Sequence, residues 1–226
     1  MFRLYPRGIY VNNGSVFSSF LFGGESTTGT DTVTTVVDVT GADGRVWMDR
    51  NLGATQVATS STDVASYGDL YQWGRAKDGH ELRTSTITNT TATSGFPGHG
   101  NFITADSATD YNWTDFAEED DLWQSGLNDP CPLGYRVPIE AELEGERAHF
   151  SPSNAVGIFN SPLKLPLSDF RFVSSGTLNA AGVLGYYWSS TVEVGSYVRI
   201  LYFGSGAVSV SSGHRASGFV VRCLKD

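Results

Sequence analysis

Eight consecutive residues, Tyr67-Gly68-Asp69-Leu70-Tyr71-Gln72-Trp73-Gly74, carry three aromatic rings. Aromatic side chains dominate core energetics, so this stretch must be largely buried whatever its backbone. The 226 residues hold five Trp, ten Tyr and thirteen Phe, enough to build a core and to exclude global disorder. The length allows one large domain or two small ones. Only 17% of residues are charged, against about 25% in an average domain. Ser, Thr and Gly take their place, a mixture that suits strands and turns better than helices. A net charge of −9 with fifteen Lys plus Arg leaves no basic stripe for nucleic acid. No run of 18 apolar residues exists to span a membrane as a helix.

Near the N-terminus, alternation in Ile9-Tyr10-Val11 and from Val16 to Phe22 predicts two short strands joined by Asn-Asn-Gly-Ser. Met1 to Gly24 lacks the continuous apolar stretch of a secretory signal peptide. Thr32 to Thr40 is β-branched almost throughout and predicts a strand, followed by a turn at Gly41–Gly44 and a second strand at Arg45–Met48. Residues 79 to 130 are rich in Gly, Thr, Ser, Asn and Asp. So long a loop is often functional, and Trp113, Phe116 and Trp123 are expected to pin it to the core. The clearest helix is Pro138 to His149, with proline in the first turn and Glu140, Glu142 and Glu144 at the positive end of the dipole. From Phe170 onward the pattern is β: Phe170–Val173, Tyr186–Trp188, Tyr197–Phe203, Ala207–Val210 and Gly218–Leu224.

Motifs for catalysis are missing. His80, His99, His149 and His214 show no ligand spacing and read as surface or loop residues. No nucleophile elbow or P-loop occurs. The run Glu118-Glu119-Asp120-Asp121 reads as a solvated face, and a structural calcium ion is the one cofactor left open. Cys131 and Cys223, the two cysteines, are either a disulfide in an oxidising compartment or two buried thiols.

Five segments in order resemble one family. They are Gly44-Arg45-Val46-Trp47-Met48-Asp49-Arg50-Asn51-Leu52, Tyr67 to Gly74, Cys131-Pro132-Leu133-Gly134-Tyr135-Arg136-Val137-Pro138, Tyr187-Trp188-Ser189-Ser190-Thr191 and Gly218-Phe219-Val220-Val221-Arg222-Cys223. Together they resemble the Fibrobacter succinogenes major paralogous domain family over about residues 33 to 225. The chain departs from that pattern at Ile139, where a capping Ser or Thr is expected, and at Leu143, where Trp is expected. The resemblance implies an α+β, C-type-lectin-like fold, β-rich with one or two short helices and long loops. It would span 31–226, with 1–30 as an N-terminal hairpin or an attachment or oligomerisation segment. The C-terminal stretch is similar to the variable proteins of diversity-generating retroelements from gut bacteria or their phages.

That resemblance implies a binding module rather than an enzyme. It would sit extracellularly, on a phage particle or bacterial surface, and recognise a cell-surface protein or glycan. A non-variable structural or adhesive domain is the alternative, and a formylglycine-generating-type enzyme is a third. Leu201, Phe203, Val208 and Phe219 would face the core. The variable face would comprise Tyr186, Glu193, Gly195, Ser196, Arg199, Tyr202, Gly204, Gly206, Ala207, Ser209, Ser211, Ser212, Gly213, His214 and Ala216. Adenine-directed mutagenesis of Asn-type codons cannot produce Lys, Glu, Gln, Met or Trp, and none of these occurs from Val194 to Arg222. Homo-oligomerisation through the N-terminal segment is a further expectation.

Overall fold

The structure, a computed structural model, describes residues 11–12, 15–16, 34–116 and 119–226. The chain divides into two units, Met1–Thr32 and Val33–Asp226. In the first, β1 (Val11–Asn12) pairs antiparallel with β2 (Ser15–Val16), with Val11 opposite Val16. This agrees with the hairpin expected around Asn-Asn-Gly-Ser. Its predicted extensions, residues 9–10 and 17–22, lie outside the described residues.

The second unit begins with β3 (Asp38–Thr40), β4 (Val46–Met48), β5 (Tyr71–Gln72), β6 (Ile87–Thr88) and β7 (Phe102–Ile103). Then come α1 (Asp121–Gln124), β8 (Tyr135–Arg136), α2 (Glu140–Arg147) and α3 (Ala155–Asn160). The C-terminal part is β9 (Phe170–Arg171), β10 (Leu178–Asn179), β11 (Gly185–Val192), β12 (Tyr197–Phe203), β13 (Val208–His214), β14 (Gly218–Phe219) and β15 (Leu224–Lys225). The strands form small sheets in the orders β3-β4-β15-β8, β10-β9-β14-β5 and β11-β12-β13, plus the parallel pair β6-β7. The fold is therefore α+β, β-rich with few short helices. The last strand lies inside its sheet, with Leu224 opposite both Trp47 and Arg136.

Residues 66–74 are all buried, as the aromatic density of that stretch required. Their rings and those of the other motifs hold one another. The Trp73 indole donates to the Ser189 carbonyl at 2.8 Å, and the Trp188 indole to the Tyr71 carbonyl at 2.7 Å. Arg222, fully buried, donates to Asn51 Oδ1 at 3.0 Å and to the carbonyls of Leu163 and Met48 at 2.8 and 3.2 Å. Asn51 in turn donates to the Tyr187 hydroxyl at 3.2 Å, which donates to the Pro166 carbonyl at 2.9 Å. Burial pushes the Arg222 guanidinium down to about 10, still charged at neutral pH. A buried cation without these acceptors would cost several kcal/mol. Cys131 and Cys223 are joined by a disulfide with Cα atoms 5.9 Å apart, which ties the loop before β8 to the residue that precedes the final strand.

The helix α2 is shorter than expected because Ile139 is extended and Ala148 closes the last turn. Ile139 offers no capping hydroxyl, and Thr191 of β11 supplies one instead. Its Oγ1 accepts the Glu140 N–H at 2.9 Å. Glu142 completes the other half of the cap by accepting the Ile139 N–H at 2.8 Å. The missing hydroxyl, whose loss costs about 0.5–2 kcal/mol, is thus replaced from a distant strand. α3 was not anticipated. It is capped by the Asn154 side chain, which accepts from Val156 and Gly157 N–H groups. A side chain at Gly157 would meet the Pro152 carbonyl oxygen at 1.8 Å.

Candidate binding surface

Strands β11 to β13 form an antiparallel sheet in which Leu201 lies opposite Tyr187 and Val210, and Ile200 opposite Trp188 and Ser211. Neighbouring side chains on a strand point to opposite faces. One face packs with Trp47, Leu143, Leu201 and Phe203, and the other with Trp73, Trp188, Ile200 and Phe219. Both faces are therefore largely buried, whereas the expected core-facing set was only Leu201, Phe203, Val208 and Phe219. Val198 and Ile200 are core residues too.

Four residues expected to face outward do not. Gly213 is buried because a Cβ there would meet the Phe219 ring at 2.7 Å and Ile200 and Trp188 at 3.1 Å. Ala216 is fully buried among Trp113, Leu122 and Ile103. Ser196 is buried where its carbonyl accepts the Arg215 N–H at 3.1 Å. Gly204 is buried at the turn into β13, donating to the Ala207 carbonyl and accepting from the Ala155 N–H. Glu193, Gly195, Gly206, Ala207, Ser209 and Ser211 are exposed, and Tyr186, Arg199, Tyr202, Ser212 and His214 are half-buried.

The register divides these open residues into three groups. On the face of Ile200, Tyr202 lies opposite Tyr186 and Ser209, next to the exposed Ser211. Tyr186 stacks on Phe219 at 4.8 Å and touches Tyr202 and Phe170, which leads on to the exposed Phe172. Burial raises the Tyr186 hydroxyl above its ordinary pKa. On the opposite face Arg199 meets Glu140 at 3.0 Å, Ser212 at 3.2 Å and Glu193 at 3.3 Å, and Ser212 donates to Glu193. Desolvation opposes the Arg199 cation, but the two carboxylates outweigh it and hold its pKa above the ordinary value. At the end of β12 and β13 away from their turn, Tyr197 lies opposite His214. The His214 ring is 4.4 Å from both the Tyr197 and Tyr111 rings. Sequence reasoning missed Tyr111, Tyr197 and Phe172. Tyr111 belongs to the long polar loop, whose length was its only signal.

A possible metal group lies elsewhere. Asp78, His80 and Glu81 bring ligand atoms together, and His80 is fully buried rather than a surface residue. Its Nε2 accepts the Gln72 N–H at 3.0 Å and its Nδ1 sits 2.6 Å from Asp78. Arg75 holds the other Asp78 oxygen at 2.6 Å, and Glu81 accepts the Gly79 N–H at 2.8 Å. With both imidazole nitrogens engaged and an arginine beside Asp78, the group is suited to bracing the loop rather than to holding a cation. Glu119 and Asp120 of the acidic run likewise face a cation already present. Asp120 pairs with Arg215, whose guanidinium is 3.7 Å from Glu119 and stacks 4.7 Å over Trp73. A cavity of ≈ 260 Å³ is lined by Asp78, Phe96, Pro97 and His99, among others. Among the described residues, no helix is long and apolar enough to cross a membrane.

No protein-family model matches the chain, and neither does a curated protein or a solved structure.

Proposed function

We propose that this chain is a ligand-binding display protein on a C-type-lectin-like scaffold, of the type used as the variable protein of a diversity-generating retroelement. Its open strand and turn positions would recognise a protein or glycan on a cell surface. One observation carries this reading. Trp47, Trp73, Trp188, Asn51, Tyr187 and Arg222, all from the five motifs, are buried, and several bond one another across them, whereas Tyr202, Ser209 and Ser211 stay open. Tyrosine and serine on a rigid frame give contact area and adaptable hydrogen bonds at low entropic cost.

The disulfide supports this placement in two ways. It suits an oxidising setting, outside a bacterial cell or on a phage particle. It also consumes both sulfurs, so the thiol pair that a formylglycine-generating-type reaction needs is engaged. Attachment or homo-oligomerisation through residues 1–30 would multiply weak affinities by avidity.

The test is a pair of displayed libraries. Randomising Glu193, Ala207, Ser209 and Ser211, all exposed, should leave most members folded, with changes within about 0.5 kcal/mol per position, and should yield binders to arbitrary protein targets. Randomising Ser196, Gly204, Gly213 and Ala216 should abolish folding in most members. Equal losses in the two libraries, or no binders from the first, would contradict the proposal.

A further inference from the structure

We infer that the end of the β12–β13 hairpin away from its turn is a subsite for an arginine side chain of a partner protein, received by Tyr197, His214, Tyr111 and the Asp110 carboxylate. The inference rests on the binding role proposed above and names one chemical feature of the partner.

The aromatic part is well defined. Tyr111 and Tyr197 each lie 4.4 Å from the His214 ring at 35°. Two rings cannot share one face of an imidazole at that distance, so His214 lies between them. Tyr197 remains 41% exposed, and ring faces attract cations, a planar guanidinium most readily. Burial keeps the imidazole below its ordinary pKa against the pull of Asp110, so it adds no positive charge at neutral pH.

The charge of the surroundings has the complementary sign. Between Arg83 and Arg136 the sequence has eight Asp and Glu and no Lys or Arg, so that stretch carries −8 of the net −9. The stretch supplies Asp110, Tyr111, Glu119 and Asp120. Asp110 is exposed, and among the described residues it has no hydrogen bond or ion pair. A Cβ at Gly195 would lie 3.4 Å from its Oδ2, so the glycine leaves that oxygen open. Arg215 neutralises Asp120, but at 1% exposure it presents no cation to an approaching ligand. The Ala216 N–H donates to the Tyr111 carbonyl at 3.3 Å and so docks the loop onto the sheet.

The experiment is an NMR titration of the full chain with N-acetyl-arginine amide, with N-acetyl-citrulline amide as the uncharged isostere. Arginine amide should shift the ring signals of Tyr197, Tyr111 and His214 saturably, and citrulline amide should bind at least about fivefold more weakly. Asp110→Asn, which tolerates the positive φ of 52° at that position, and Tyr197→Leu should each weaken arginine binding about fivefold. Phe96→Leu, which removes an exposed ring outside the proposed subsite, should leave it unchanged. Unperturbed signals elsewhere report that each variant is folded. Equal binding of citrulline, no saturable shift, or equal loss with Phe96→Leu would overturn the inference. If the first library yields binders while arginine amide fails, the subsite alone is wrong. If that library unfolds, the binding role itself fails.

Discussion

Replacing Cys131 and Cys223 together by alanine should lower the unfolding free energy by about 4–5 kcal/mol. The bond closes a sequence separation of 92 residues, and in the chain-entropy account the loss grows with the loop closed. Both sulfurs are buried, in the cluster that holds Trp73, Trp188 and Phe219. Small cavities should therefore add to the loss rather than offset it. Urea unfolding with and without reductant measures the effect on the wild type as well. A midpoint unmoved by reductant, with intact mass showing two hydrogen atoms gained, would mean that the bond contributes no stability. The β11–β13 sheet is anchored through the same core, so the proposed ligand binding should weaken as the scaffold loosens.

The second large effect concerns acid. Burial holds His80 down at about 4, against 6.5 when unfolded, with the Arg75 cation adding to the shift and Asp78 opposing it. The folded protein thus binds fewer protons than the unfolded chain between those values. Its contribution is present in full above about pH 6.5 and is lost as pH falls through 4, in total about 3 kcal/mol. Glu146 acts in the opposite direction. Desolvation and a shared proton with Asp43 raise its carboxyl to about 7, while Ala42 and Asp43 N–H groups bond its oxygens. That contribution is present in full below about 4.5 and lost as pH rises through 7. The wild type should therefore show a shallow pH dependence from 7 to 4.5. The difference between wild type and His80→Gln isolates the histidine. That difference should fall by about 3 kcal/mol between pH 7 and pH 4, measured by urea unfolding at each pH. A constant difference would place a charged His80 in the folded state.

The parts of the fold legible in the sequence were those with dense local signals. Tyr67 to Gly74 could only be buried, and β12 runs over the residues predicted for it. The error in the open face came from treating Leu201, Phe203, Val208 and Phe219 as the whole inward set. The adjacent Ile200 and Leu201 already imply a strand covered on both faces, because neighbouring side chains point opposite ways. Gly213 and Ser196 are small and polar, and such residues read as surface. The burial of Gly213 follows from the Phe219, Trp188 and Ile200 side chains around it, which belong to other strands. His80 was misplaced for the same reason, since the backbone N–H that fixes it comes from Gln72 in a core strand. Asp110 and Tyr111 gave no local sign of partnership with His214, which is about a hundred residues away in sequence. The capping role of Thr191 was equally hidden, although Ile139 showed that a hydroxyl was missing from its usual position.

Under the proposed function, exposed positions of the β11–β13 sheet vary over a fixed, buried scaffold. Sequencing the DNA that flanks the coding region tests it most directly. The account predicts a reverse transcriptase gene and a near-identical template repeat of the region after Tyr186. Differences from the template should fall at adenines, in the codons of open residues such as Tyr202, Ser209 and Ser211. The codons of Val198, Ile200 and Gly213 should match the template. A locus with neither reverse transcriptase nor repeat, or one whose differences concentrate on the buried positions, would contradict the account.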